Sequence, residues 1–181
     1  MQAMVGSQLR VLVLGGARSG KSLLAERLAD RTGEPVTYVA TLEAEPDDAD
    51  LAERIRRHQQ RRPPAWTTVE LTGSLGLPEV VSATKGTLLV DSLGAWVASA
   101  PGFRRDGAAL AAAIAERAGT TVVVSDEVGL GVHPATEVGR AFRDALGTIN
   151  QHVAAVSDRV VLVVAGRVVE LGEPIEGIVG R

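Results

Sequence analysis

The sequence predicts an α/β domain built on a mostly parallel sheet, and three observations carry that prediction. Short apolar runs rich in Val and Leu alternate with amphipathic stretches, as strands alternate with right-handed crossover helices. The first run leads into GGARSGKS, where Gly15, Gly20, Lys21 and Ser22 satisfy the G-x-x-x-x-G-K-[ST] phosphate-loop pattern. The 181 residues, 45% hydrophobic but only 3% aromatic, suffice for one domain whose core is layered from aliphatic side chains. No internal repeat or linker divides the chain, so residues 9–181 are read as the domain and 1–8 as an N-terminal extension.

Leu9 to Leu14 is almost wholly apolar, the composition of a strand buried on both faces of a parallel sheet. The glycines that follow let backbone N–H groups curl around a phosphate without Cβ obstruction. Lys21 would reach the β- and γ-phosphates and Ser22 would ligate Mg²⁺. The next helix adds its N-terminal N–H groups and dipole, with Leu23, Leu24, Ala25 and Leu28 as its buried side. Thr32 to Pro35 is a turn, and Val36 to Ala40 a second strand. Ligands of open parallel sheets bind beyond the carboxyl ends of strands, which brings Ala40, Thr41 and Leu42 toward the loop.

An acidic stretch, Glu43 to Asp50, offers Asp47 or Asp48 as the cap of a helix that runs to about Arg62, where Pro63-Pro64 stops it. At 100° per residue, Leu51, Ile55 and His58 share a face, and Arg54, Arg61 and Arg62 flank the histidine. Clustered guanidinium groups suit a triphosphate. They would also hold the imidazole neutral, the form that acts as a nucleophile. Against this stands the plainer reading of a solvated basic helix.

Ala65 to Glu70 is a third strand, whose terminal carboxylate could meet a ribose hydroxyl or be merely structural, and Thr72 to Lys85 is a loop with a short helix. Gly86 to Asp91, GTLLVD, is a buried strand ending in an acid. Such an acid would hold Mg²⁺ opposite Ser22, its strand expected to lie beside the phosphate-loop strand; the rival reading is a simple cap of the next helix. Ser99 to Gly107 is a loop, and Gly107 to Ala118 a helix with Leu110 and Ile114 inward. Thr120 to Val124 is a strand running into the Gly-spaced loop Ser125 to Pro134, a candidate substrate loop. Ala135 to Val156 is a long helix, and Val160 to Val164 with Val168 to Glu170 closes the sheet as a hairpin.

Net charge is −3, so no global positive field favours nucleic acid. Cysteine is absent, which excludes disulfides and thiolate chemistry, and the three histidines have no metal-ligand spacing. The N-terminus MQAMVGSQ lacks signal-peptide features and no apolar run reaches membrane-spanning length, so the expectation is a soluble cytoplasmic protein.

Taken together, GGARSGKS, YVAT, ERIRRHQQRRPPAWTTVE, the strand ending at Asp91, SDEVGLGVHP and AFRDALGTINQHVAAVSDRVVLVVAG resemble one family over most of residues 9–73 and 120–166. It is the bifunctional adenosylcobinamide kinase/adenosylcobinamide-phosphate guanylyltransferase family of cobalamin biosynthesis. The resemblance implies a single P-loop NTPase (RecA-like) domain, with Mg²⁺ as cofactor, GTP and ATP as substrates, a corrinoid as acceptor, and a trimer. It implies that His58 takes up GMP and that Gly15, Gly16, Ala17, Arg18, Ser19, Gly20, Lys21 and Ser22 form the phosphate loop. Ala40, Thr41, Leu42, Gln59, Gln60, Arg61, Arg62, Glu70 and Asp91 then match positions that contact GTP. Of Gln59 to Arg62, only Arg62 stands where members do not vary. Arg57 replaces a second histidine of some members, and Asp126 an asparagine. Residues 74–86 and 99–119 match poorly, so corrinoid contacts do not carry over. Two other readings compete: a monofunctional P-loop small-molecule kinase with an idle His58, and a GTP-dependent switch using Asp91-Ser92-Leu93-Gly94. The second lacks an N-K-x-D sequence to read guanine.

Overall fold

The computed structural model describes residues 8–41, 56, 60, 62–71 and 76–174. Seven strands form one sheet: β1 (Arg10–Gly15), β2 (Val36–Ala40), β3 (Thr67–Glu70), β4 (Thr87–Asp91), β5 (Thr121–Asp126), β6 (Arg159–Val164) and β7 (Arg167–Leu171). Their order is β3-β2-β4-β5-β1-β6-β7. All pairings are parallel except β6 with β7, the expected closing hairpin. The described helices are α1 (Lys21–Asp30), α2 (Leu77–Ala83), α3 (Leu93–Ala98), α4 (Gly107–Glu116) and α5 (Glu137–Ala155), with a 3₁₀ turn at Pro101–Phe103. None of them is long and apolar enough to cross a membrane.

The period-2 alternation of strand side chains divides the core into two layers. Leu12, Leu14, Val39, Leu88, Val90 and Val123 pack under α2 to α5, against Leu77, Trp96, Leu110, Ile114 and Leu146. Val11, Val13, Tyr38, Leu89, Val122 and Val124 face the other way, onto Ala25 and Ala29 of α1. Helices therefore cover both faces of a P-loop α/β sheet, as the sequence predicts.

Two expectations are corrected. Leu23 is 43% exposed, while Ala25, Glu26 and Ala29 form the buried line of α1, with Leu24 and Leu28 half-buried beside it. Leu23 precedes Ala25 by two residues, which places it about 200° around the helix, on the outer side. The strand of Asp91 does not adjoin the phosphate-loop strand either: β5 lies between β4 and β1. The run TVVVS is buried along its whole length and takes that central slot.

Smaller differences lie at element ends. The third strand begins at Thr67, β5 continues to Asp126, and α5 starts at Glu137, capped by Thr136, whose hydroxyl accepts from the Gly139 N–H. In the segment read as the histidine helix, Arg56 and Gln60 are helical and exposed, and Arg62 already lies beyond the helix in a bend. Leu42, Asp47, Asp48, Arg54, Arg57, His58, Gln59 and Arg61 lie outside the described residues.

The register sets up the site. Gly15 pairs with Asp126, Asp91 with Val124 and Ala40, and Ala40 with Glu70. The carboxyl ends of five parallel strands thus form one continuous edge.

Candidate functional site

At that edge the chain turns from β1 into α1 through the phosphate loop. A Cβ on Gly15 would come within 2.5 Å of Ser19 Oγ and 2.8 Å of the Val163 carbonyl oxygen, so only glycine lets the strand leave here. Gly20, at φ 100°, makes the left-handed step into the helix. Ser19 is buried and anchors the loop: its carbonyl accepts from the Gly166 N–H at 2.9 Å, and its hydroxyl from the Lys21 N–H at 3.3 Å. Gly16, Ala17 and Arg18 form an exposed crest. The N-cap residue Gly20 offers no side chain and the first turn holds no acid, so beyond the Lys21 N–H the helix start suits an anion.

The Lys21 ammonium spans the loop mouth. It donates to the Gly16 carbonyl at 3.1 Å and lies 2.8 Å from Asp126 Oδ1. In the first turn of α1, Ser22 Oγ donates to Asp91 Oδ1 at 3.3 Å. The acid strand is two places from the loop strand, yet Asp91 and Ser22 still meet, because α1 lies over the same sheet face from which Asp91 projects. A hydroxyl and a carboxylate oxygen brought together are the hard donors that Mg²⁺ accepts alongside phosphate oxygens. Among the described residues, no group of three or more His, Cys, Asp or Glu is placed to hold a metal ion by itself.

Asp91 is not a helix cap. The N-cap of α3 is Ser92, and the second oxygen of Asp91 accepts a 2.9 Å bond from the Tyr38 hydroxyl. Tyr38 is 2% exposed. Burial pushes its phenol well above the ordinary range, the Asp91 charge adds to this, and the Arg62 guanidinium opposes it, so the ring stays a proton donor. The Arg62 guanidinium carbon lies 3.5 Å from the Tyr38 ring centroid, while Nη1 donates to Thr68 Oγ1 at 3.4 Å. Arg62 Nε is buried without a hydrogen-bond partner.

Thr41 is buried and committed to the backbone, where its hydroxyl donates to the Ser92 carbonyl at 2.6 Å and accepts from the Ser92 N–H at 2.8 Å. Ala40 sits beside Asp91 in the sheet. Glu70 is exposed at the end of the outermost strand. Four strand spacings separate it from Gly15, about 19 Å. Phosphate loop and Glu70 therefore mark the two ends of a long edge, Ser22, Asp91, Tyr38 and Arg62 lying between them. His133 lies on the loop that follows β5, with Nδ1 2.9 Å from Arg143 Nη1 of α5.

Two members of the site carry no individual role in the sequence reading. Asp126 ends TVVVSD, the same apolar-run-then-acid pattern as GTLLVD, and that repetition was the available signal. Tyr38 is the only tyrosine of the chain and lies in an otherwise apolar strand. A buried phenol needs a polar partner.

Residues 11–171 match the family model described as cobinamide kinase / cobinamide phosphate guanyltransferase. The chain is 41% identical, over 175 residues, to the bifunctional adenosylcobalamin biosynthesis protein CobP of Pseudomonas aeruginosa, covering 92% of this chain and all of that protein. The chain belongs to this family. Another relative, the bifunctional adenosylcobalamin biosynthesis protein CobU of Escherichia coli K12, is 35% identical over 178 residues, 87% of this chain and 97% of the other. Among solved structures, a Pyrococcus horikoshii OT3 protein aligns with TM-score 0.55 at 11% identity, over 93% of this chain and 87% of that one, which speaks for the fold alone. Within the cobinamide kinase / guanyltransferase family, this chain carries an aspartate at the mouth of its phosphate loop.

Proposed function

We propose that this family member is a bifunctional enzyme that phosphorylates adenosylcobinamide with ATP or GTP and then converts the product to adenosylcobinamide-GDP. The observation that carries the reading is the meeting of Ser22 with Asp91 beside a lysine-bearing phosphate loop, in a chain of this family. In the first half-reaction, the acceptor hydroxyl oxygen attacks the γ-phosphorus, the bond to the bridging oxygen breaks, and a nucleoside diphosphate leaves. The loop N–H groups of Gly15 to Gly20 orient the phosphates, and Lys21 moves from Asp126 to the β- and γ-phosphate oxygens. Ser22 and Asp91 would hold Mg²⁺, which supplies charge neutralisation on the transferring phosphoryl group.

In the second half-reaction, the neutral imidazole of His58 attacks the α-phosphorus of GTP and pyrophosphate leaves. The phosphate of adenosylcobinamide phosphate then attacks the guanylylated histidine, releasing it. Covalent transfer divides one difficult displacement into two, and imidazole serves as both nucleophile and leaving group. The proposed nucleotide contacts are the loop, Ala40, Thr41, Leu42, Gln59, Gln60, Arg61, Arg62, Glu70 and Asp91. The buried, unpartnered Arg62 Nε is a donor left for a ligand oxygen, and exposed Glu70 suits a ribose hydroxyl at the far end of the edge.

With this reading go one domain over residues 9–181, a homo-oligomer, the trimer that the family resemblance implies, and a cytoplasmic location. The test is incubation with α-labelled GTP followed by peptide mapping. Label on the peptide bearing His58 is expected; turnover without any covalent nucleotide would instead favour the monofunctional kinase.

A further inference from the structure

Tyr38 touches both parts of the site. Through its hydroxyl it binds one oxygen of Asp91, whose other oxygen faces Ser22. Through its ring it carries the guanidinium of Arg62, which stands four residues after His58 and is tied on its far side to Thr68 of β3. A carboxylate whose two oxygens are each engaged cannot rotate freely about its terminal bond. A guanidinium laid flat on a buried ring is likewise limited to that plane. Tyr38 itself is fixed, because it lies in β2 between β3 and β4 and packs in the α1-side core layer.

We propose that Tyr38 is a positioning residue for both half-reactions: it orients the Asp91 carboxylate toward the metal and fixes Arg62, four residues after His58 in the chain. This rests on the reading of Asp91 as a metal ligand and His58 as the guanylyl acceptor. Partners that orient metal ligands commonly change metal affinity tenfold or more when removed. The two functions use different parts of one side chain, the O–H and the ring face, so two substitutions separate them.

Tyr38→Phe keeps the ring and removes only the hydrogen bond. Mn²⁺ binding to the GTP-loaded protein, read by electron paramagnetic resonance, should weaken about tenfold. The Mg²⁺ concentration for half-maximal kinase turnover should rise in parallel, with little change in turnover at saturating metal and in melting temperature. Tyr38→Leu also removes the stacking surface. Its metal binding should match that of Tyr38→Phe, whereas the rate of His58 labelling by α-labelled GTP should fall about tenfold further. Arg62→Leu removes the same stack from the other side and should show the same labelling defect if Tyr38→Leu proves unstable.

Wild-type Mn²⁺ affinity in Tyr38→Phe, with weakened binding in an Asp91→Asn control, would overturn the role of Tyr38 alone. Unchanged binding in both would overturn the metal reading of Asp91 and the Tyr38 role with it. Equal labelling rates in Tyr38→Phe, Tyr38→Leu and Arg62→Leu would overturn the ring's part. Label that persists in His58→Ala would remove the histidine reading on which that part stands.

Discussion

Lys21 Nζ stands 2.8 Å from the Asp126 carboxylate, so the phosphate-loop lysine is paired with a group of opposite charge. Both side chains are less than one-third exposed. The γ-phosphate must compete with Asp126 for the ammonium, and a carboxylate at the loop mouth also repels an incoming triphosphate. Asp126→Asn should therefore tighten GTP binding in Mg²⁺-free buffer, by about fivefold for a pair worth about 1 kcal/mol. Isothermal titration calorimetry measures this, and equal or weaker binding would mean that Asp126 does not hold the lysine back.

Removing the lysine itself has a different consequence. Lys21→Ala should lose both half-reactions, because both draw on a triphosphate held in the loop, while the melting temperature stays near that of the wild type. Lys21 Nζ bonds to the Gly16 carbonyl and to Asp126 at the loop mouth, outside the apolar core. Near-normal turnover in either assay would contradict its placement.

Asp91→Asn retains the shape of the side chain and can still accept from Tyr38, but it withdraws the charge that suits a divalent cation. The Mg²⁺ requirement of kinase turnover should rise while metal-free nucleotide affinity changes little. A Mg²⁺ titration with an unaltered midpoint would leave Asp91 a purely structural role.

Tyr38 gives a pH signature without interference from other tyrosines, as the chain has only one. Its folded pKa is raised above the ordinary value of 10.0, chiefly by burial and then by Asp91. An acid whose folded pKa is raised contributes stability fully below its unfolded pKa and loses it as pH rises beyond that point. Absorbance at 295 nm should stay silent through pH 10 and rise only with unfolding followed by circular dichroism. An ionisation near pH 10 in the folded protein would place the phenol in water.

Much of this was legible in the sequence. Arg10–Gly15 followed by Lys21–Asp30 is fixed by local chemistry: an apolar strand, glycines where Cβ atoms cannot fit, and an amphipathic helix. The acid at the end of GTLLVD was equally visible. Strand order was not, because the insertion of β5 between β1 and β4 depends on long-range packing that no short pattern encodes. Leu23 lies on the outer side of α1 because its angle on the helix, not its apolar character, decides whether it is buried. Asp126, in sequence only a departure from the family's asparagine, and Tyr38 take their importance from what they touch, Lys21 in one case and Asp91 with Arg62 in the other.

At the amino ends of β4 and β5, far from this edge, Arg117 is buried and donates to the carbonyls of Thr84, Gly86, Gly119 and Thr120 and to Thr121 Oγ1. Arg117→Met should orphan several of these acceptors and cost about 3 kcal/mol, a fall in melting temperature of about 6–12 °C, with catalysis at low temperature intact. Thermal denaturation and a turnover assay decide it; lost activity in a folded variant would tie Arg117 to the site after all.

The most direct test of the two-step chemistry is the fate of α-labelled GTP in His58→Ala. In the wild type the label should sit on His58 as an acid-labile, comparatively alkali-stable phosphoramidate. The variant should carry no label and make no adenosylcobinamide-GDP, while phosphorylation of adenosylcobinamide partly persists because γ-phosphoryl transfer relies on the loop, Lys21 and charge neutralisation. Formation of adenosylcobinamide-GDP at a normal rate by His58→Ala would contradict the covalent mechanism.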